Sequence, residues 1–357
     1  MTQALDTTES IYDFIRRLPK TELHLHLEGT IEPATLVELS QRVDPGSGTE
    51  PLTLAEAEAL YQYTDFSGFM LAFKAVTRRL RGPEEYELAA YKMIEQLAAQ
   101  GVVHAEVYIS VGVVYFWRKE EDAADPKLFE KIFAGLERAR ERGERDFGVT
   151  LYWIFDAVRH FSVPEAERVF RKAAHMRTQY PSIIGIGLGG DERVAASEPF
   201  SAMYAEAAAA GLRLTNHAGE TTGPEAIWEA LSVGSERLGH ALSAIRDEEL
   251  IAELVRRQIP LELNPTSNVR TGVCSSFAEH PLRTYIDKGL MVTLNSDDPA
   301  FFGSSVANEY RLAHEIHHLD RAELKMLAVN SFRASFLPEE TKQRWISHIE
   351  SHVESRA

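Results

Sequence analysis

The chain has 357 residues, of which 44% are hydrophobic, and a net charge of −16. So much apolar material suits a large packed core, while the acidic balance opposes attraction to nucleic acid phosphates or anionic lipid and favours a neutral or small substrate. Cys274 is the only cysteine, which excludes an intrachain disulfide and any Cys-x-x-Cys metal site. The N-terminal stretch lacks the basic, apolar and small-residue order of a signal peptide, and no apolar run is long enough to cross a bilayer. A soluble, cytoplasmic protein is expected.

The first β-rich run, residues 22–27, sets His24 and His26 at i and i+2, on one side of a strand. Two imidazoles facing one axis are either a hydrogen-bonded core pair or part of a metal site. The stretch 31–81 is too long for one βα connection and breaks at 46–49, which predicts a helical insertion capping the site. Within it, 61–74 carries Tyr63, Phe66, Phe69 and Phe73; most read as the packed face of an amphipathic helix, with one or two at its edge as a lid. Further β-rich runs follow at 102–109, 149–158, 183–188, 213–216, 237–242, 259–263 and 291–294. Helix formers fill intervening stretches such as 83–100 and 202–210, and the mixed charge of 119–144 reads as a solvated helix pair. The pattern predicts an α/β fold, a closed (β/α)8 TIM-type barrel with a helical insertion after the first strand, as one domain over 1–357.

Polar residues collect at the C-terminal ends of these runs, the catalytic face of such a barrel. The fifth ends in NHAGE (216–220), the sixth in Gly239 and His240, the seventh in NPTSN (264–268) and the eighth in SDDP (296–299). Three histidines and an aspartate can then meet at one point; this ligand set suits zinc, and iron or manganese by ligand type alone. Read singly, Glu220 is equally an acid near a helix N-terminus and Asp298 a turn-former before Pro299. The remaining histidines, His280 and the group His314, His317 and His318 among them, are assigned to surface or core, with no second metal site.

Together, PKTELHLHLEGT (19–30), HAGE (217–220), LGH (238–240), PTSN (265–268) and SDDP (296–299) resemble the motifs of adenosine deaminases, in order and over nearly the whole chain. The resemblance implies one Zn2+ per chain on His24, His26, His217 and Asp297. It makes Glu220 the proton donor to purine N1 and His240 the residue that orients or deprotonates the attacking water. It also implies that Asp298 pairs with N7, that the backbone N–H of Gly190 meets N3, and that Glu28 lies at the sugar. The partners implied are a small purine and water, without nucleic acid or membrane; oligomeric state is left open.

Three departures bear on the substrate. Glu28 stands where the family has an aspartate, Tyr108 and Val111 replace an arginine and a proline, and Gly187 replaces an aspartate. Similar patterns occur in adenine deaminases and in the aminodeoxyfutalosine deaminases of an alternative menaquinone route, whose nucleoside substrate carries a benzoate-bearing 5′ extension. Arg270 is a candidate cation for that extension, and an adenosine-like nucleoside is expected, with adenine as the alternative. A two-metal hydrolase would need a lysine at a strand end near the histidines, and none is there. A non-catalytic purine-binding protein would be marked by loss of Glu220, His240 or a ligand, and all are present.

Overall fold

A computed structural model describes residues 10–63 and 66–352. Eight parallel strands run in the order β1-β2-β3-β4-β5-β6-β7-β8. They are β1 (Lys20–His26), β2 (Val102–Ile109), β3 (Thr150–Val158), β4 (Ile183–Gly189), β5 (Arg213–Ala218), β6 (Arg237–His240), β7 (Leu261–Leu263) and β8 (Val292–Leu294). Helices alternate with the strands, as a (β/α)8 barrel requires.

The barrel closes between β8 and β1 largely through side chains. The Leu23 N–H donates to Asn295 Oδ1 (3.0 Å) and the Ser296 N–H to Glu22 Oε1 (2.9 Å). Beyond the end of β8, the Asp297 N–H donates to the His24 carbonyl and the His26 N–H to the Asp297 carbonyl, both at 3.0 Å. The strand that carries two candidate ligands is thus bonded directly to a third.

Several strand limits differ from the sequence expectation, each for a physical reason. β1 starts at Lys20 because Lys20, Thr21 and Glu22 are all buried; the Lys20 ammonium donates to the Ile15 and Gln100 carbonyls at 2.8 and 2.7 Å. β6 stops at His240, since His240 and Ala241 take left-handed φ angles of 62° and 50°. β7 starts only after Pro260, which has no N–H for the ladder.

The insertion after β1 holds the helices Pro33–Val43, Leu54–Leu60 and Phe66–Thr77. A buried ion pair, Arg79 Nη2 to Asp44 Oδ2 at 2.7 Å, ties it together. Its aromatics pack down on the segment after Asp298: Phe69 lies 5.6 Å from both Phe301 and Phe302, and the Tyr63 hydroxyl donates to the Phe301 carbonyl (2.7 Å). Tyr63, Phe69 and Phe73 are therefore packed residues; the Phe66 side chain lies outside the described residues.

Tyr108 and Gly187, two of the departures from the family pattern, pack against each other inside the barrel. Tyr108 is buried in the barrel interior, its ring stacked on His26 (5.1 Å) and its hydroxyl donating to Glu262 Oε2 (3.2 Å). A Cβ on Gly187 would sit 2.7 Å from Tyr108 Cε1. The two are a matched large and small pair under the site, and one substitution makes room for the other. Gly187→Ala should therefore lower stability by about 1–3 kcal/mol, read as a fall in thermal midpoint. An unchanged midpoint would show that the ring has room to move.

Candidate active site

His24 and His26 point inward from β1, as their spacing predicts, and His217 joins them from the end of β5. His24 Nδ1 is held by Glu262 at 2.7 Å, which leaves its Nε2 buried without a hydrogen-bond partner. A carboxylate behind one imidazole nitrogen fixes the tautomer whose other nitrogen carries a lone pair, the usual support behind a metal-binding histidine. The Nε2 atoms of His26 and His217 are 3.3 Å apart, and Asp297 Oδ1 lies 3.4 Å from His26 Nε2 and 3.6 Å from His24 Nε2. A tetrahedral centre with bonds of about 2.0–2.2 Å has edges of about 3.3–3.6 Å. These three edges suit a zinc-sized ion; His24, His26 and Asp297 form one group of mutually close ligand atoms, and His24, His217 and His240 form a second that shares His24.

Electrostatics agree with that fit. Burial pulls His26 down to about 4 and His217 well below the usual imidazole range, so both are neutral, as ligation needs. The Asp297 carboxyl stays below its ordinary value although burial pushes it up. Asp297 Oδ2 also accepts the Ser267 hydroxyl at 2.6 Å. Its backbone takes a left-handed φ of 64°, a strain of about 1–3 kcal/mol that surrounding bonds must hold.

Glu220 follows β5 and faces His240, with Oε2 3.8 Å from Nε2. The next helix is capped at Gly223, so the Glu220 side chain is not its cap. Burial raises the Glu220 carboxyl, the direction a proton donor requires. Glu192 holds the loop: its carboxylate accepts the N–H groups of Gly219, Glu220 and Thr221 at 2.7–3.0 Å and the Thr222 hydroxyl at 2.8 Å.

Asp298 caps nothing with its side chain, and its Oδ1 is buried without a partner. Burial, then the charges of Asp297, Glu28, Glu220 and Asp156, raise it well above the carboxylate range. Glu28 is only 2% exposed. One of its oxygens accepts the Ser110 N–H (3.1 Å), the other is free, and burial lifts the group to about 7. Gly190 is exposed, with φ of 88°, and a Cβ at this position would sit 2.9 Å from His160 Nδ1. Arg270, the candidate cation, donates from Nε to the Phe302 carbonyl at 3.2 Å.

Sequence reasoning did not single out Glu262, Ser267 or Glu192 for a role. Ser267 lay inside a motif that had been noted, whereas Glu262 is an acid between two leucines of a buried strand. A carboxylate in that setting is costly without a partner, and that was the available signal.

The adenosine deaminase family model matches residues 19–352. An aminodeoxyfutalosine deaminase of Streptomyces avermitilis is 36% identical over 99% of this chain and 96% of its own length. The crystal structure of an adenine deaminase from Arthrobacter aurescens superposes with a TM-score of 0.84 at 31% identity, covering 94% of this chain and 99% of that one. An amidohydrolase from Burkholderia ambifaria, solved with bound zinc, gives 0.84 at 26% identity over 98% and 96%. With the motifs in order, the barrel closed and the ligand cluster assembled at its catalytic face, the chain belongs to the adenosine deaminase family of metal-dependent hydrolytic deaminases.

Proposed function

We propose that the protein is a one-zinc deaminase that replaces the 6-amino group of an adenosine-like nucleoside with oxygen, releasing ammonia, and that the nucleoside carries an aromatic 5′ extension of the aminodeoxyfutalosine type. The convergence of His24, His26, His217 and Asp297 beside the facing pair Glu220 and His240 carries the reaction. Zinc, when bound, supplies the means to ionise water near neutral pH. Glu220 protonates N1 as the ring loses aromaticity, and His240 orients the water. Asp298 faces N7, Gly190 offers its N–H to N3, and Glu28 borders the sugar.

The substrate reading rests on the mouth beyond Gly190. Phe161, next to His160 at the end of β3, stacks face to face with Phe116 at 4.4 Å, and Phe116 is 46% exposed. Trp117 meets the same Phe161 ring, and the Lys74 ammonium lies 5.9 Å from the Trp117 ring centre. A stacked aromatic pair with one exposed ring and a cation nearby suits an aromatic carboxylate. Free adenine is the second reading, favoured by the near-complete burial of Glu28, which would close the sugar side. Ultraviolet assays on aminodeoxyfutalosine, adenosine and adenine should give kcat/KM in that falling order. A tenfold gain for the extended nucleoside needs only about 1.4 kcal/mol. Adenine as best substrate would overturn the nucleoside reading.

A further inference from the structure

His280, after the seventh strand, is 3% exposed and was assigned from sequence only to surface or core. Its Nδ1 faces the backbone N–H of Leu282 at 3.3 Å. A backbone amide can only donate, so Nδ1 is an acceptor and the proton of the neutral ring sits on Nε2. Burial pulls His280 down to about 3 and keeps it neutral. His280 Nε2 therefore donates to Asn268, which it meets at Oδ1 (3.2 Å). The other end of that amide is then NH2, and it faces His240 Nδ1 at 2.9 Å. The Asn264 amide points at the same nitrogen from 3.3 Å. The direction of the whole chain follows from one unambiguous donor at its far end.

We propose that His280, acting through Asn268, sets the tautomer of His240, so that the nitrogen facing Glu220 and Asp297 carries hydrogen and acts as a donor. His280 and Asn268 are positioning residues; His240 is the group that meets the reacting water. This narrows the role of His240: it aims the water by donating to its oxygen, and a lone pair on Nε2 is not available in the resting enzyme. The inference rests on the deaminase reading only for its kinetic consequence.

The test uses zinc-loaded protein carrying 15N-labelled histidine, with the His240 signals identified by comparison with His240→Asn. Nδ1 of His240 should resonate as an unprotonated nitrogen and Nε2 as a protonated one. Asn268→Asp keeps the shape but only accepts, so it draws the His240 proton to Nδ1; kcat should fall about 100-fold with KM within about threefold. His280→Gln keeps a donor for Asn268 and should hold kcat within about threefold, whereas His280→Phe should lose about tenfold. A protonated Nδ1 in the wild-type spectrum, an Asn268→Asp enzyme near full rate, or equal losses in His280→Gln and His280→Phe would each overturn the proposal. The spectrum needs no substrate. A wild-type protein inactive on every 6-aminopurine would sink the deaminase reading and leave the tautomer result standing.

Discussion

Glu220→Gln is expected to lower kcat by about 10³-fold while the metal stays bound. An amide keeps the volume of the carboxyl but has no proton to deliver to N1. The loop that carries residue 220 is held by Glu192 through backbone N–H groups, so the substitution leaves the loop in place. The side chain touches none of the bonds that fix Asp297, His24 or His26. Loss of rate with retained metal separates a chemical role from a structural one. Steady-state kinetics and metal analysis on the same preparation check this, and near wild-type turnover would remove Glu220 from the mechanism.

His217→Ala should lose both the ion and the activity. Its Nε2 provides one end of the 3.3 Å edge to His26, and without it three groups face a buried centre. Disturbing the residues behind metal ligands costs about 10–100-fold in affinity, and deleting a ligand costs more. The imidazole has no bond to another strand among the described residues apart from that edge, so the barrel should keep its far-ultraviolet dichroism. A dialysed His217→Ala protein that still holds one metal per chain would mean that the cluster of His24, His26 and Asp297 suffices. His240, which lies near His24 and His217, would then be the residue to test as a fourth ligand.

The barrel was legible because each strand is buried on both faces and reads as a short apolar run between helical stretches. The position of His24 and His26 on one face follows from their spacing alone, and the structure turns both inward. Polar barrel positions were not legible. Lys20 and Thr21 fell outside the first run and nothing in the sequence marks Glu22 as buried, yet Lys20 is satisfied by the Gln100 carbonyl and Glu22 by Ser296, 80 and 274 residues away. The same holds for the groups that support the site. Glu262 bonds His24 across 238 residues, and Glu192 bonds the HAGE loop across 27 to 30. The pairing of Tyr108 with Gly187 was not legible either, because only packing shows that one fills the space left by the other.

The most direct test of the account is a metal titration. The protein, stripped by exhaustive chelation, is titrated with zinc while loss of the 6-aminopurine ultraviolet band and release of ammonia are followed. The account predicts an inactive apoprotein whose rate rises linearly to a break at one equivalent per chain, with one ammonia formed per purine converted. Full activity in the metal-free protein, or a break at two equivalents, would contradict it.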